Sequence, residues 1–161
     1  YHNELTTQQP SGLSQSIAAH LLIDVWGQEG WQQHLTALRD NYRQKRDRIQ
    51  LICERELTGL CEWKQPAAGM FFWFKLNLPE SVRSKPGHMD DVFERCIENG
   101  VLLVPGQQFI VVENDEHLTK SEKADRAPYL RASFSYEMPE EVEEALIRLK
   151  KVLVSLGCGA E

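Results

Sequence analysis

Basic charge, clustered cysteines and long apolar runs are all scarce in this 161-residue chain, and each shortage closes off a class of function. Lys and Arg number 18 against 24 Asp and Glu, a formal net charge of -6. That balance argues against a nucleic-acid partner or an anionic membrane surface, both of which select basic patches. Cys53, Cys61, Cys96 and Cys158 are scattered, with no C-x-x-C pair and no histidine at zinc-ligand spacing. Reduced structural thiols of an intracellular protein, and no metal site, are therefore expected. No run approaches membrane-spanning length, and the opening YHNELTTQQP has no hydrophobic signal core. G-x-G-x-x-G, a phosphate loop, H-E-x-x-H and G-x-S-x-G are absent as well. The histidines at 2, 20, 34, 88 and 117 have no acid or nucleophile at a telling spacing, so structural roles are expected. The first residue is a tyrosine in a polar stretch, which fits a piece excised from a longer polypeptide.

What is present reads as one ordinary domain or a large fragment of a bigger protein. After the turn at Pro10-Ser11-Gly12, apolar Leu13, Ile17, Leu21, Leu22 and Val25 recur at helical spacing, predicting a helix over 14–26 stopped by Gly27. A second helix over about 31–57 carries Trp31, Leu35, Leu38, Tyr42, Ile49, Ile52 and Cys53 on one stripe. Its basic run of Arg39, Arg43, Lys45, Arg46 and Arg48 is expected to form a solvated face. Residues 60–64 are short and mixed. The nearly continuous run from Gly69 to Leu76 predicts a strand buried on both faces. A loop over 77–87, a helix over 90–98 and a short buried strand over 101–104 follow. Residues 113–127 are charged and aperiodic and predict an exposed, mobile insertion. The last helix starts at Pro139, with acids crowding its first turn and Arg148, Lys150 and Lys151 at its end. The sum is an α+β fold: a small, mostly antiparallel sheet covered by helices on one side, with a long connecting helix near the N-terminus.

The segment PYLRASFS raises the sharpest question of chemistry. Leu130, Ala132, Phe134 and Tyr136 alternate with Arg131, Ser133 and Ser135, so a half-wet strand would simply leave Arg131 in water. Alternatively, Arg131 grips a carboxylate with its forked guanidinium. PAAGMFFWF and VLLVPGQQF likewise join a buried strand to a tight turn. If these strands are neighbours, Phe71, Phe109 and Arg131 converge into an apolar wall with one fixed cation, a receptor for an amino or oxo acid. As ordinary core residues, the two phenylalanines would mean nothing of the kind.

Five blocks, PSGLSQSIAAHLL, WGQEGWQQHL, LTGLCEWKQPAAGMFFWFKL, GVLLVPGQQF and PYLRASFSYEMPEEVEEALIRL, cover nearly all the chain outside two loops. In that order they resemble the C-terminal part of the class I/II, fold-type I, pyridoxal-phosphate-dependent aminotransferases, and most nearly the kynurenine/α-aminoadipate group with its fungal aromatic relatives.

The resemblance implies that Arg131 binds the substrate α-carboxylate, and that Phe71 and Phe109 line the side-chain pocket. It implies pyridoxal phosphate as cofactor of a full-length, homodimeric enzyme, amino-acid and 2-oxo-acid substrates with 2-oxoglutarate as acceptor, and a cytoplasmic or mitochondrial home. It also divides the chain. Residues 1–30 would end the large domain, 31–57 would be the connecting helix, and 58–161 the small domain. The Schiff-base lysine of the family sits in S-x-S/T-K, a context none of the eight lysines here has. The large domain of the same polypeptide is thus implied as a missing partner, no catalytic residue is assigned in this chain, and the isolated chain is expected to be inactive. Two other readings stay open: a non-catalytic α+β module that binds small amino acids as a regulatory domain, and a protein-docking domain with an exposed apolar stripe.

Overall fold

The computed structural model describes residues 11–109, 119–136 and 138–159. They fall into two compact units, divided after Asn41. In the first unit, helix α1 (Gly12–Ala19) begins at Ser11, whose hydroxyl accepts from the Ser14 N–H. It continues as a π-helical stretch, His20–Trp26. Gly27, at φ +58, then breaks the run, a conformation glycine adopts without strain. The expected stop is there, but the next helix begins at once: α2 spans Gly27–Glu56. Leu13, Ile17, Ile23 and Val25 are each at least 60% exposed.

The second unit is built on a four-stranded antiparallel sheet in the order β1-β2-β4-β3. The strands are β1 (Cys61–Glu62), β2 (Phe71–Leu76), β3 (Val104–Pro105) and β4 (Tyr129–Ser133). Helices α3 (Glu80–Arg83), α4 (His88–Glu98), α5 (Lys120–Arg126) and α6 (Pro139–Ser155) complete it. One continuous core joins Ile49, Ile52 and Cys53 of α2, Phe72 and Phe74 of β2, Leu130 of β4, Val92 of α4, and Leu146, Leu149 and Leu153 of α6. The α+β expectation of a small antiparallel sheet with a long helix ahead of it agrees with this architecture.

Several local expectations need correction. The β2 run is not buried on both faces. Phe72, Phe74 and Leu76 are buried, whereas Phe71 and Trp73 are 38% and 37% exposed, because strand side chains alternate and helices cover one side only. Of the 101–104 segment only Val104 pairs in the sheet, and Leu102 is exposed, since the chain turns at Gly106 after two ladder positions. β4 ends at Ser133, which leaves Tyr136 exposed rather than on the core face. The apolar stripe of α2 is buried only near its C-terminal end, at Ile49, Ile52 and Cys53. Helix α6 runs on to Ser155, so its last turn holds no basic residue.

Part of the charged insertion, residues 119–127, is ordered. Thr119 and Glu122 form a reciprocal capping box on α5. The Asp125 carboxylate then accepts from the backbone N–H groups of Gly87 (2.8 Å) and Met89 (3.1 Å) at the start of α4, and lies 3.2 Å from buried His88. Ser121 adds a bond to Asp90. Residues 113–118 of that segment lie outside the described ones. The basic run on α2 is not merely solvated either. Lys45 donates to the Ser135 carbonyl at 2.8 Å, Arg46 to that of Pro66, and Arg48 pairs with Glu140.

All four cysteines are free and buried. Burial raises the Cys53 and Cys61 thiols from 9.0 to about 12 and Cys96 to about 11. A raised folded-state value means that the native state holds its thiol protons longer than the unfolded chain does. Their contribution to stability is full below about pH 9 and is lost as the pH climbs towards about 12, at up to about 1.4 kcal/mol per pH unit for each thiol. Native protein at pH 8 is therefore expected to leave all four thiols unreactive towards a disulfide reagent and to expose them in urea. Replacing Cys53 and Cys61 by alanine should flatten the alkaline fall in stability. Rapid labelling of native protein would contradict this account.

Candidate functional site

The uncovered face of the sheet carries the unusual residues. Along β2 and β4 the outward positions are Phe71, Trp73 and Lys75, and Tyr129, Arg131 and Ser133, with Trp73 directly opposite Arg131 and Phe71 opposite Ser133. Lys75 is engaged with Glu62 across the β1–β2 pair at 3.1 Å. Two glycines set the geometry. Gly69, at φ +79, turns the chain into β2 just before Phe71. Gly106 lies against β4 so closely that a Cβ there would come within 2.8 Å of Tyr129 Cβ. That contact seats the 3-10 turn Gly106–Phe109, which follows β3 and delivers the Phe109 ring to the open face.

Arg131, Phe71 and Phe109 are brought together. The guanidinium carbon lies 4.2 Å from the Phe71 ring centroid and 4.3 Å from that of Phe109, with each ring presenting its face. Cation–ring attraction of about 0.5–2 kcal/mol per contact fixes a side chain that would otherwise sweep through solvent. Among the described residues, no carboxylate, carbonyl or hydroxyl accepts a hydrogen bond from Arg131. A half-buried guanidinium held by stacking, with its donors unspent, suits a planar two-oxygen anion.

Sequence reasoning missed two neighbours. Trp73 packs edge-to-face on Phe109 (5.0 Å, 81°) and on Tyr129 (6.5 Å, 75°). Phe71, Trp73 and Tyr129, with Trp63, Pro66 and Met70, also wall a cleft of about 620 Å³ beside the clamp. The signal that could have found Trp73 and Tyr129 is parity: both share a sheet face with Arg131 once the β2–β4 register is known.

No family model matches the chain. The kynurenine/alpha-aminoadipate aminotransferase, mitochondrial, of Bos taurus is 31% identical over 152 residues, covering 94% of this chain and 32% of that protein. Aminotransferase tdiD of Emericella nidulans is 31% identical over 150 residues, covering 93% and 31%. Among solved structures, the aromatic aminotransferase Aro9 from C. Albicans superposes with a TM-score of 0.77 at 25% identity, over 96% of this chain and 32% of that one. The chain belongs to the fold-type I aminotransferases. It corresponds to their C-terminal domain and spans about a third of the length of the curated relatives it matches.

Pyridoxal phosphate is the cofactor of this aminotransferase family. The open face does not fit it. Lys75 on this face is paired with Glu62, Lys64 lines the adjoining cleft, and the aromatic clamp offers one cation rather than a phosphate cradle and a pyridine-binding acid. Among the described residues no helix is long and apolar enough to cross a membrane, and no cluster of His, Cys, Asp or Glu could hold a metal ion.

Proposed function

We propose that this chain is the substrate-carboxylate half-site of a longer pyridoxal-phosphate-dependent transaminase, which moves an amino group from an aromatic, kynurenine-type or 2-aminoadipate-type donor to 2-oxoglutarate. The observation that carries the proposal is the Arg131 guanidinium, stacked on Phe71 and Phe109 and without a hydrogen-bond acceptor among the described residues. Its fork would fix both oxygens of the α-carboxylate and so orient the bond to be broken. Phe71 serves both the clamp and the adjoining cleft, whose aromatic walls suit a large, flat donor side chain. The electron sink for the reaction would be pyridoxal phosphate held outside this chain. This chain's residues would bind the acid group and orient it.

On this reading the cofactor lysine and phosphate site lie in a large domain of the same polypeptide, cytoplasmic or mitochondrial, which acts as a homodimer. Residues 1–30 close that large domain, 31–57 connect it and 58–161 form the small domain. Support comes from the exposed apolar residues of 13–25 and from the bare aromatic sheet face, both of which would otherwise meet water. Nothing in the relatives named above favours a regulatory amino-acid-binding module.

The test compares the 161-residue chain with the product of its complete open reading frame. The complete product is expected to transaminate an aromatic amino acid with 2-oxoglutarate. The isolated chain, incubated with pyridoxal phosphate and borohydride, should give neither turnover nor a trapped adduct. Turnover by the isolated chain, or an unrelated catalytic domain upstream, would overturn the proposal.

A further inference from the structure

We propose that Trp73 is a positioning residue for Arg131, acting through Phe109. The inference rests on the carboxylate-binding reading above and names the part that holds the fork in place. Phe109 closes a four-residue 3-10 turn and is 42% exposed, so its own backbone does little to fix its ring. What does so is the Trp73 indole, which meets Phe109 at 5.0 Å and 81°, the edge-to-face arrangement that aromatic quadrupoles favour.

Trp73 can serve as a rigid post because it is itself fixed. It lies within β2, where it is the ladder partner of Arg131 on β4, and its indole is flanked by Tyr129 at 6.5 Å and 75°. A chain of rings thus runs from Tyr129 through Trp73 to Phe109, then to the guanidinium, with Phe71 holding the guanidinium independently. Phe71 alone leaves the guanidinium free to pivot, whereas two rings set its heading. Trp73 stands opposite Arg131 in the β2–β4 register, yet the ring stacking against the guanidinium is that of Phe109. An indole at 73 with 37% of its surface exposed is therefore explained by orientation of the fork rather than by the core.

The experiment reads the Arg131 Nε–H resonance in the 161-residue chain, assigned by its loss in Arg131→Lys, together with titration by 2-oxoglutarate. Rings facing the guanidinium shift that resonance upfield in the unmodified chain. Trp73→Leu should return it most of the way towards that of a solvated arginine and weaken 2-oxoglutarate binding about two- to tenfold. Trp73→Phe, which restores an aromatic edge, should recover most of both effects, and Trp73→Val replaces the leucine variant if that fails to fold. An unmoved Arg131 resonance in the leucine or valine variant would overturn the inference, as would Trp73→Phe behaving like Trp73→Leu. If the product of the complete open reading frame binds no 2-oxoglutarate while the resonance in the 161-residue chain still responds to Trp73, the carboxylate-binding reading fails and the positioning contact stands.

Discussion

Replacing Arg131 by alanine in the transaminase proposed to contain this chain is expected to lower kcat/KM by about 10²–10⁴-fold. Two charge-assisted hydrogen bonds of about 1.5–3 kcal/mol each are removed together, and each 1.4 kcal/mol is worth a factor of ten. Arg131→Lys keeps the charge but loses the fork and the flat surface that stacks on Phe71 and Phe109. It should recover only part of the loss, at about tenfold below the parent enzyme, because an ammonium can satisfy one carboxylate oxygen well and not two. Added guanidinium ion should rescue the alanine variant better than the lysine one, since the gap between the two phenyl rings is open in the former. Steady-state kinetics with both substrates would check this, because on the proposed reading the amino donor and 2-oxoglutarate each present an α-carboxylate to Arg131. A variant that lost one half-reaction and kept the other, or an alanine variant within about threefold of the parent, would show that the carboxylate is held elsewhere.

Periodicity made parts of this architecture legible and left others dark for reasons that can be named. Helix α6 was readable because Val142, Leu146, Leu149 and Leu153 repeat at helical spacing behind an acidic first turn. Helix α2 was readable in length, but its burial was not: the same apolar stripe continues past the point where the core stops. The open face of β2 was illegible because FFWF is apolar at every position, so parity, the one property that separates Phe71 and Trp73 from Phe72 and Phe74, leaves no mark on composition. The α5 anchor was missed because Asp125 caps a helix 36 and 38 residues away, at Met89 and Gly87, a pairing that charge patterning cannot reveal. Arg131 stood out as an anomaly within a strand, and gripping a carboxylate was one of two readings its pattern left open; the family resemblance is what favoured that reading. The structure adds the two rings on its guanidinium and a neighbour, Trp73, that looked like core.

Phe74→Ala is expected to cost about 3–5 kcal/mol of stability, near the upper end of what a single core truncation does. Phe74 has no exposed surface and sits in the second unit's aromatic cluster, 5.9 Å from Phe72 and 6.2 Å from Trp63. The cavity cannot close easily. Trp63 is tied to α2 by its indole N–H, which donates to Gln50 at 3.1 Å, and Phe72 is wedged edge-on against Phe134. A domain of ordinary stability holds only about 5–15 kcal/mol, so the variant should melt far earlier or fail to accumulate. The comparison that gives this result meaning is Phe71→Ala, three residues earlier on the same strand and on its opposite face. With 38% of its surface already exposed, Phe71 should cost little stability while freeing one side of the Arg131 guanidinium. Urea unfolding and 2-oxoglutarate titration on both variants would therefore separate cleanly by parity: one residue supports the fold, the other the ligand. Equal stability losses at 71 and 74 would mean that the aromatic face of β2 is covered by protein in the working molecule's folded core. Arg131 would then have no open surface from which to reach an acid group.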